Sequence, residues 1–371
     1  MKPHPSEPFV PLGAAQTQLP NALRVASRKR RKRWVAVSLA LLPLLLGLMA
    51  FYWGYPLQPG GASLLQFTRF IELPRTGMLN ALDYLALAGD HLMVAGISSG
   101  AVIEVPLSIA AMSPPPPIRT LTGPGQAHGI ALVDGRLGFV TRSGANTVQV
   151  FDPITLQALK TLPVADDPDA VLFDPSTRAV YVASGDSRTA TLIDPDQVEV
   201  VAKIALPGKP EFALVDGSTG LLYQNLSDVN AIAVINLRTR AVETTWALPA
   251  CDGPSGMAID SAKRQLFVVC SRSRNLQVLS LANHLPIANI AVARWSDSVA
   301  FDDTLKRVYV ASGSGWLTII SQGSDARFST VQRVRTALGA HTVAVNPKTH
   351  EIYVAYAGIF AAPRIGVFEA R

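Results

Sequence analysis

Acidic and imidazole side chains return along this chain at intervals of 41 to 45 residues. They are Asp83, His128, Asp169, Glu211, Asp297 and His341, with Ser255 in the place between Glu211 and Asp297 and Asp252 just ahead of it. Carboxylates and imidazoles brought together bind divalent metals or cationic ligands, and like charges set side by side raise carboxyl pKa values. Within this set, His128, Glu211 and His341 are the candidate metal ligands, and Asp83, Asp169 and Asp297 supply negative potential. No close pair such as H-x-x-x-H or C-x-x-C accompanies them, so a divalent metal would depend on the fold rather than on local spacing. Polar residues at a water-filled mouth also serve loop amides, which is the plainer role open to each one alone.

These residues must be positioned by a repeated strand, turn and strand. In residues 169–183, Val171, Leu172 and Phe173 form an apolar run, Asp174-Pro175 suits a type I turn, and Val180-Tyr181-Val182 is β-branched and aromatic. Aligning the chain on the large residue of the second strand gives Met93, Phe139, Tyr181, Tyr223, Phe267, Tyr309 and Tyr353, spaced by 46, 42, 42, 44, 42 and 44 residues. A period of that length made of short strands reads as a blade of four antiparallel strands. Seven anchors predict an all-β, seven-bladed β-propeller over residues 64–371, in which each candidate residue starts an innermost strand and faces the channel mouth.

Internal units end their fourth strand in Leu-Pro, as at Leu206-Pro207 and Leu248-Pro249, because proline ends a strand but does not sit inside one. The seventh unit lacks that strand after residues 365–368, and a surplus copy, Phe70-Ile71-Glu72-Leu73-Pro74, stands ahead of the first unit. The expectation is that residues 67–73 pair with the last blade and close the ring, which removes an exposed edge. In the first unit, residues 112–117 insert four prolines, read as a stiff loop between third and fourth strands. Gly96-Ile97-Ser98-Ser99-Gly100 matches the nucleophile pattern G-x-S-x-G, but its context is a hairpin rather than a strand-to-helix turn, so it is set aside.

The formal charge of +6 conceals a division. Residues 1–33 hold eight of the 33 basic residues and one of the 27 acids, which leaves 25 against 26 for the remainder. A near-neutral propeller lacks the basic excess that displaces counterions, so nucleic acid is not an expected partner. Residues 34–55 carry no charge, have aromatic residues at both ends and follow the basic cluster Arg28 to Arg33. This reads as a transmembrane signal-anchor behind a cytoplasmic tail, followed by a Pro/Gly linker at 56–63, with the propeller exported. A cleaved signal peptide is the competing reading, and its apolar region would be shorter. Cys251 enters the fifth unit and Cys270 ends its second strand, at the same end of one blade, so an oxidising compartment predicts a disulfide between them.

Val180-Tyr181-Val182-Ala183, Val308-Tyr309-Val310-Ala311-Ser312 and Ile352-Tyr353-Val354-Ala355 resemble the signature of the YVTN-repeat β-propellers, the YncE-like group, without its final Thr-Asn. Ala127-His128-Gly129, Pro168-Asp169-Ala170, Lys209-Pro210-Glu211-Phe212 and Cys251-Asp252-Gly253-Pro254 are similar to the export-side bacterial branch of that group. The resemblance covers residues 64–371 and implies a seven-bladed periplasmic propeller, with no single activity attached, since fold does not carry function. The expected function is an inner-membrane-anchored scaffold that binds a ligand or a protein partner through its channel-mouth face. The alternative is a metal-dependent hydrolase resembling the gluconolactonase propellers, with a channel metal that polarises a lactone carbonyl.

Overall fold

The computed structural model describes residues 63–107, 117–323 and 326–371. The cytoplasmic tail (1–33), the signal-anchor (34–55), nearly all of the linker and most of the proline-rich insertion lie outside the described residues. Among the described residues no helix is long and apolar enough to cross a membrane.

The described strands form seven four-stranded antiparallel sheets and one two-stranded ribbon. Blade 1 holds Leu85–Ala88, His91–Gly96, Ala101–Pro106 and Arg119–Thr122, ordered from the channel outward. Blades 2 to 7 start with the inner strands Ala127–Val133, Pro168–Asp174, Pro210–Asp216, Pro254–Asp260, Ser296–Asp302 and Thr342–Val345. Burial explains the sequence pattern. Second strands such as Ala179–Ser184 are buried along their whole length between neighbouring sheets, so they read as unbroken apolar runs, while outer strands such as Glu199–Ala205 are mostly exposed and mixed. The anchors Tyr181, Tyr223, Tyr309 and Tyr353 are all buried in the sheet-to-sheet interfaces.

Closure occurs as the repeat predicts. Leu65–Glu72 is the outer strand of blade 7 and runs antiparallel to Arg364–Ala370, with Leu65 opposite Ala370, Phe67 opposite Phe368 and Ile71 opposite Ile365. The ladder continues past both ends, where the Leu73 amide donates to Pro363 O (2.8 Å) and the Arg371 amide to Leu64 O (2.9 Å). The inner strand of blade 1 starts at Leu85, two residues later than the sequence suggests, although the Asp83 amide already donates to Ala95 O at 2.8 Å.

At the end of the blades away from the candidate residues, the hairpin turns are built by buried acids. Asp174 Oδ1 accepts from the Ser176 amide (2.9 Å), and Asp216 and Asp302 bind the amides of Ser218 and Thr304 (both 3.0 Å). Some of these acids also clasp the next blade. Arg264 of blade 5 donates to Asp216 of blade 4, and His350 of blade 7 lies 2.9 Å from Asp302 of blade 6. Burial pushes the Asp216 carboxyl up, but hydrogen bonds from Ser218 and Arg264 outweigh it and hold the group below its ordinary value. At the other end, Cys251 and Cys270 are joined in a disulfide across 19 residues, worth about 3 kcal/mol if it acts through loop entropy.

Leu65 is fully buried against Phe368 and the blade 6–blade 7 core. Leu65→Ala is therefore expected to cost about 2–5 kcal/mol in urea unfolding of the full-length protein. A loss within about 0.5 kcal/mol, typical of surface positions, would show that the closing strand is not part of the cooperative fold.

Candidate functional site

Five of the seven inner strands slip register at the candidate residue. Pairing with the second strand shifts between Ala127 and Ile130, Pro168 and Val171, Pro210 and Ala213, Pro254 and Met257, and Ser296 and Ser298. His128, Asp169, Glu211, Ser255 and Asp297 thus sit on β-bulges, which set two residues against one and re-aim side chains. The bulge also leaves carbonyls without a ladder partner, and side chains collect them. Thr141 Oγ1 donates to Asp169 O (2.7 Å), Gln224 Nε2 to Glu211 O (3.0 Å), Asn225 Nδ2 to Ser255 O and Ser255 Oγ to Asp297 O (3.0 Å). Three of these four bonds cross from one blade to the next, and Tyr181 Oη joins blades 3 and 4 by donating to Gln224 Oε1 (2.9 Å). Thr141, Gln224 and Asn225 are fully buried in second strands that are apolar at most other positions. That out-of-place polarity was the sequence signal for them, and sequence reasoning passed over it.

The structure places Asp83, His128, Asp169, Glu211, Ser255, Asp297 and His341 around one cavity of about 320 Å³. Asp252 does not line it. Its carboxylate pairs with Arg272 Nε (2.9 Å) and its amide donates to Ser273 Oγ (2.8 Å), so the entering loop is tied to the strand 2–3 hairpin at the rim, with the Asp252 side chain half exposed.

The imidazoles belong to two separate pairs. His128 Nδ1 lies 2.6 Å from Asp83 Oδ2 and 3.6 Å from Asp169 Oδ1, while His341 Nδ1 lies 3.0 Å from Asp297 Oδ2. Glu211 Oε1 accepts from Ser227 Oγ at 3.0 Å. Donor atoms of Asp83, His128 and Asp169 all fall within 4.8 Å of one another, the only such set among the described residues. His128, Glu211 and His341, the trio singled out from sequence, are not gathered into one ligand set. Which imidazole meets which acid depends on bulge geometry and the angle between blades, neither of which spacing reveals.

Electrostatics follow from this crowding. Burial pushes the Asp169 carboxyl up, the charge of Asp83 adds to that, His128 opposes, and Glu211 and Asp297 contribute further, leaving it at about 8. Burial also raises Glu211 against its bond from Ser227. For both histidines burial favours the neutral ring, but the hydrogen bond and charge of the partner acid outweigh it, so His128 and His341 are raised. Below the ring residues, Tyr84 of blade 1 and Phe212 of blade 4 reach across the channel and stack, with centroids 5.9 Å apart and planes 7° from parallel. Burial and the four surrounding carboxylates keep the Tyr84 phenol protonated. Gly129 and Gly256 occupy the same level where neighbouring inner strands come closest: a Cβ there would stand 2.5 Å from Asp169 O and 2.5 Å from Asp297 O. Tyr84 and Phe212 were also missed from sequence, because stacking across the ring is set by its diameter.

The raised pKa of His341 makes a sign-definite expectation. Its imidazolium–Asp297 pair contributes stability that is complete below the ordinary imidazole value and is lost as pH rises through the raised one. In an NMR titration the His341 ring should titrate above an exposed histidine and move downward in Asp297→Asn. A midpoint at or below that of an exposed ring in the parent protein would contradict the pairing.

No family model and no curated protein matches this chain. Among solved structures it is similar to hydrazine synthase of Kuenenia stuttgartiensis, with a TM-score of 0.66 and 17% identity over 77% of this chain and 94% of that one. At that identity the likeness concerns architecture alone, and it agrees with the seven-bladed β-propeller.

Proposed function

We propose that this protein is a membrane-anchored periplasmic propeller of the YVTN-repeat, YncE-like kind, whose channel-mouth cavity binds a cationic ligand or a cationic group on a partner. One observation carries the reading. Four carboxylates, Asp83, Asp169, Glu211 and Asp297, converge on a single cavity whose lining offers two imidazoles, His128 and His341, and no Lys or Arg, so acids outnumber bases even with both rings protonated. A cluster with this excess of acid lowers its free energy by taking up positive charge, either as protons, toward which burial and then the charge of Asp83 push Asp169, or as a bound cation. The bulges and the side chains that cap their carbonyls hold the acids in place before any ligand arrives, so little ordering cost falls on binding. An organic ammonium suits the site: it donates several hydrogen bonds to carboxylates and rests against the aromatic floor of Tyr84 and Phe212.

Location is read from other features. The apolar, uncharged residues 34–55 behind a basic cluster support an inner-membrane anchor with a cytoplasmic N-terminus. The Cys251–Cys270 disulfide supports an oxidising compartment for the propeller. In protease-protection assays on spheroplasts the propeller should be accessible from outside, and the undigested protein should stay in the membrane fraction under alkaline extraction. Full protection in intact spheroplasts would overturn the topology.

Ligand class is tested by titration calorimetry of the full-length protein with putrescine as probe. Binding is expected, weakened about tenfold or more by Glu211→Gln or Asp297→Asn, each of which removes a charged hydrogen-bond acceptor. Absence of heat at millimolar putrescine, or heat unchanged in both variants, would overturn the reading.

A further inference from the structure

The cluster on the blade 1–blade 3 side of the cavity carries more than general negative potential. Asp83, His128 and Asp169 come from three successive blades, and their donor atoms lie within 4.8 Å of one another. Asp169 Oδ1 is buried yet accepts no hydrogen bond. His128 Nδ1 stands 3.6 Å from it, an ion-pair contact but beyond hydrogen-bond reach, and a buried carboxylate oxygen short of hydrogen bonds points to an ion or another ligand. His128 presents a second, independent feature. Its Nε2 lies 3.1 Å from Ser143 Oγ and 3.4 Å from Gln126 Oε1, so the nitrogen facing away from the carboxylates has acceptors of its own. Metal-binding histidines are held in this way, with the distal N–H donating to an oxygen and fixing the tautomer.

We infer that Asp83, His128 and Asp169 ligate one divalent transition-metal cation through one imidazole nitrogen and two carboxylate oxygens. The inference rests on the reading of the cavity as a cation site and names an occupant for part of it. Zinc bonds of about 2.0–2.2 Å to such donors put neighbouring ligand atoms about 3.4 Å apart at tetrahedral angles. The 3.6 Å separation from His128 Nδ1 to Asp169 Oδ1 is close to that value, whereas Asp83 Oδ2, now hydrogen-bonded to Nδ1 at 2.6 Å, must move outward by about 0.8 Å when the cation replaces the proton between them. On binding, the cation takes the place of the Nδ1 proton, which is released to solvent, and Nε2–H remains bonded to Ser143 or Gln126. A mixed nitrogen and oxygen donor set favours Zn²⁺, Co²⁺ or Mn²⁺ over Mg²⁺ and Ca²⁺, which prefer oxygen alone. The scaffold is built to hold this set still. Thr141 Oγ1 accepts from the Gly129 amide (2.8 Å) and donates to Asp169 O (2.7 Å), so one buried hydroxyl ties the backbones next to His128 and at Asp169 together. Three protein ligands leave the remaining coordination positions open to the cavity.

The test uses the full-length protein, stripped with chelator and dialysed against Zn²⁺, with elemental analysis of bound metal and, in parallel, the visible d–d spectrum of the Co²⁺ form. One Zn²⁺ per chain is expected. It should be lost in Asp169→Asn and in His128→Gln, retained in Glu211→Gln, and bound about tenfold more weakly in Ser143→Ala, which removes an acceptor behind the imidazole. Thermal melts of the variants by circular dichroism establish that loss of metal is not loss of fold, and Asp83→Asn provides a third ligand variant should either of the first two unfold. Sub-stoichiometric Zn²⁺ at saturating concentration, or Zn²⁺ and an unchanged Co²⁺ spectrum retained by folded ligand variants, would overturn the inference. Putrescine binding without Zn²⁺ binding would sink the metal site and leave the cation-binding cavity standing, whereas failure of both probes would sink both.

Discussion

A ring of separate sheets has to be fastened where its last sheet meets its first, and here the fastening is a backbone ladder between segments nearly three hundred residues apart. Leu65–Glu72 lies against Arg364–Ala370, and the pairing extends through Leu73 and Arg371. The ladder gives the seventh sheet its fourth strand and ties the first described strand to the last, which fastens the ring of seven sheets around a shared axis. The inner strands then stand around one channel, and residues far apart in the chain, such as Asp83 and Asp297, come to share a cavity. Local propensity makes each blade, but the non-local ladder makes the site.

The ring imposes a second requirement at its narrow centre, where inner strands crowd and ladder bonds cannot all be kept. The structure yields there by bulging, and the freed carbonyls of Asp169, Glu211, Ser255 and Asp297 are taken by Thr141, Gln224, Asn225 and Ser255. Thr141, Gln224 and Asn225 do not line the cavity, so the orientation of the acids follows in part from how buried polar groups behind it are satisfied. Burying a carboxylate beside others costs stability, and the upward displacement of Asp169 comes from burial first and the charge of Asp83 second. A chain that tolerates this at its centre offsets it in its sheet-to-sheet core and in clasps such as Arg264 on Asp216.

Much of this architecture was legible in the sequence because its signals are local. The runs around Tyr181, Tyr309 and Tyr353, the Asp-led turns and the Leu-Pro strand ends each report on a few neighbouring residues, and their period reports the blade count. The closing strand was readable for the same reason, as one copy of a local pattern standing at the wrong end. The site was legible only as a set of positions. That His128 meets Asp83 and Asp169 while His341 meets Asp297 depends on bulges and on blade-to-blade angles. Asp252 was grouped with the ring because it lies three residues before Ser255, yet Arg272 and Ser273 hold it at the rim. Tyr84 and Phe212 were invisible as a pair because nothing in the order of residues states the width of the channel.

The closing ladder also sets a timetable. It joins the earliest described β-strand to the latest, and about 290 residues separate Glu72 from Arg364, which at ribosomal speeds of 5–20 residues per second is about 15 to 60 s of synthesis. Throughout that interval Leu65–Glu72, with Phe67 and Phe70 among its eight residues, has no native strand to lie against. A nascent chain halted anywhere before the final strand is therefore an open arc with an unmatched early strand, and the completed toroid is the first species in which that strand has its native neighbour.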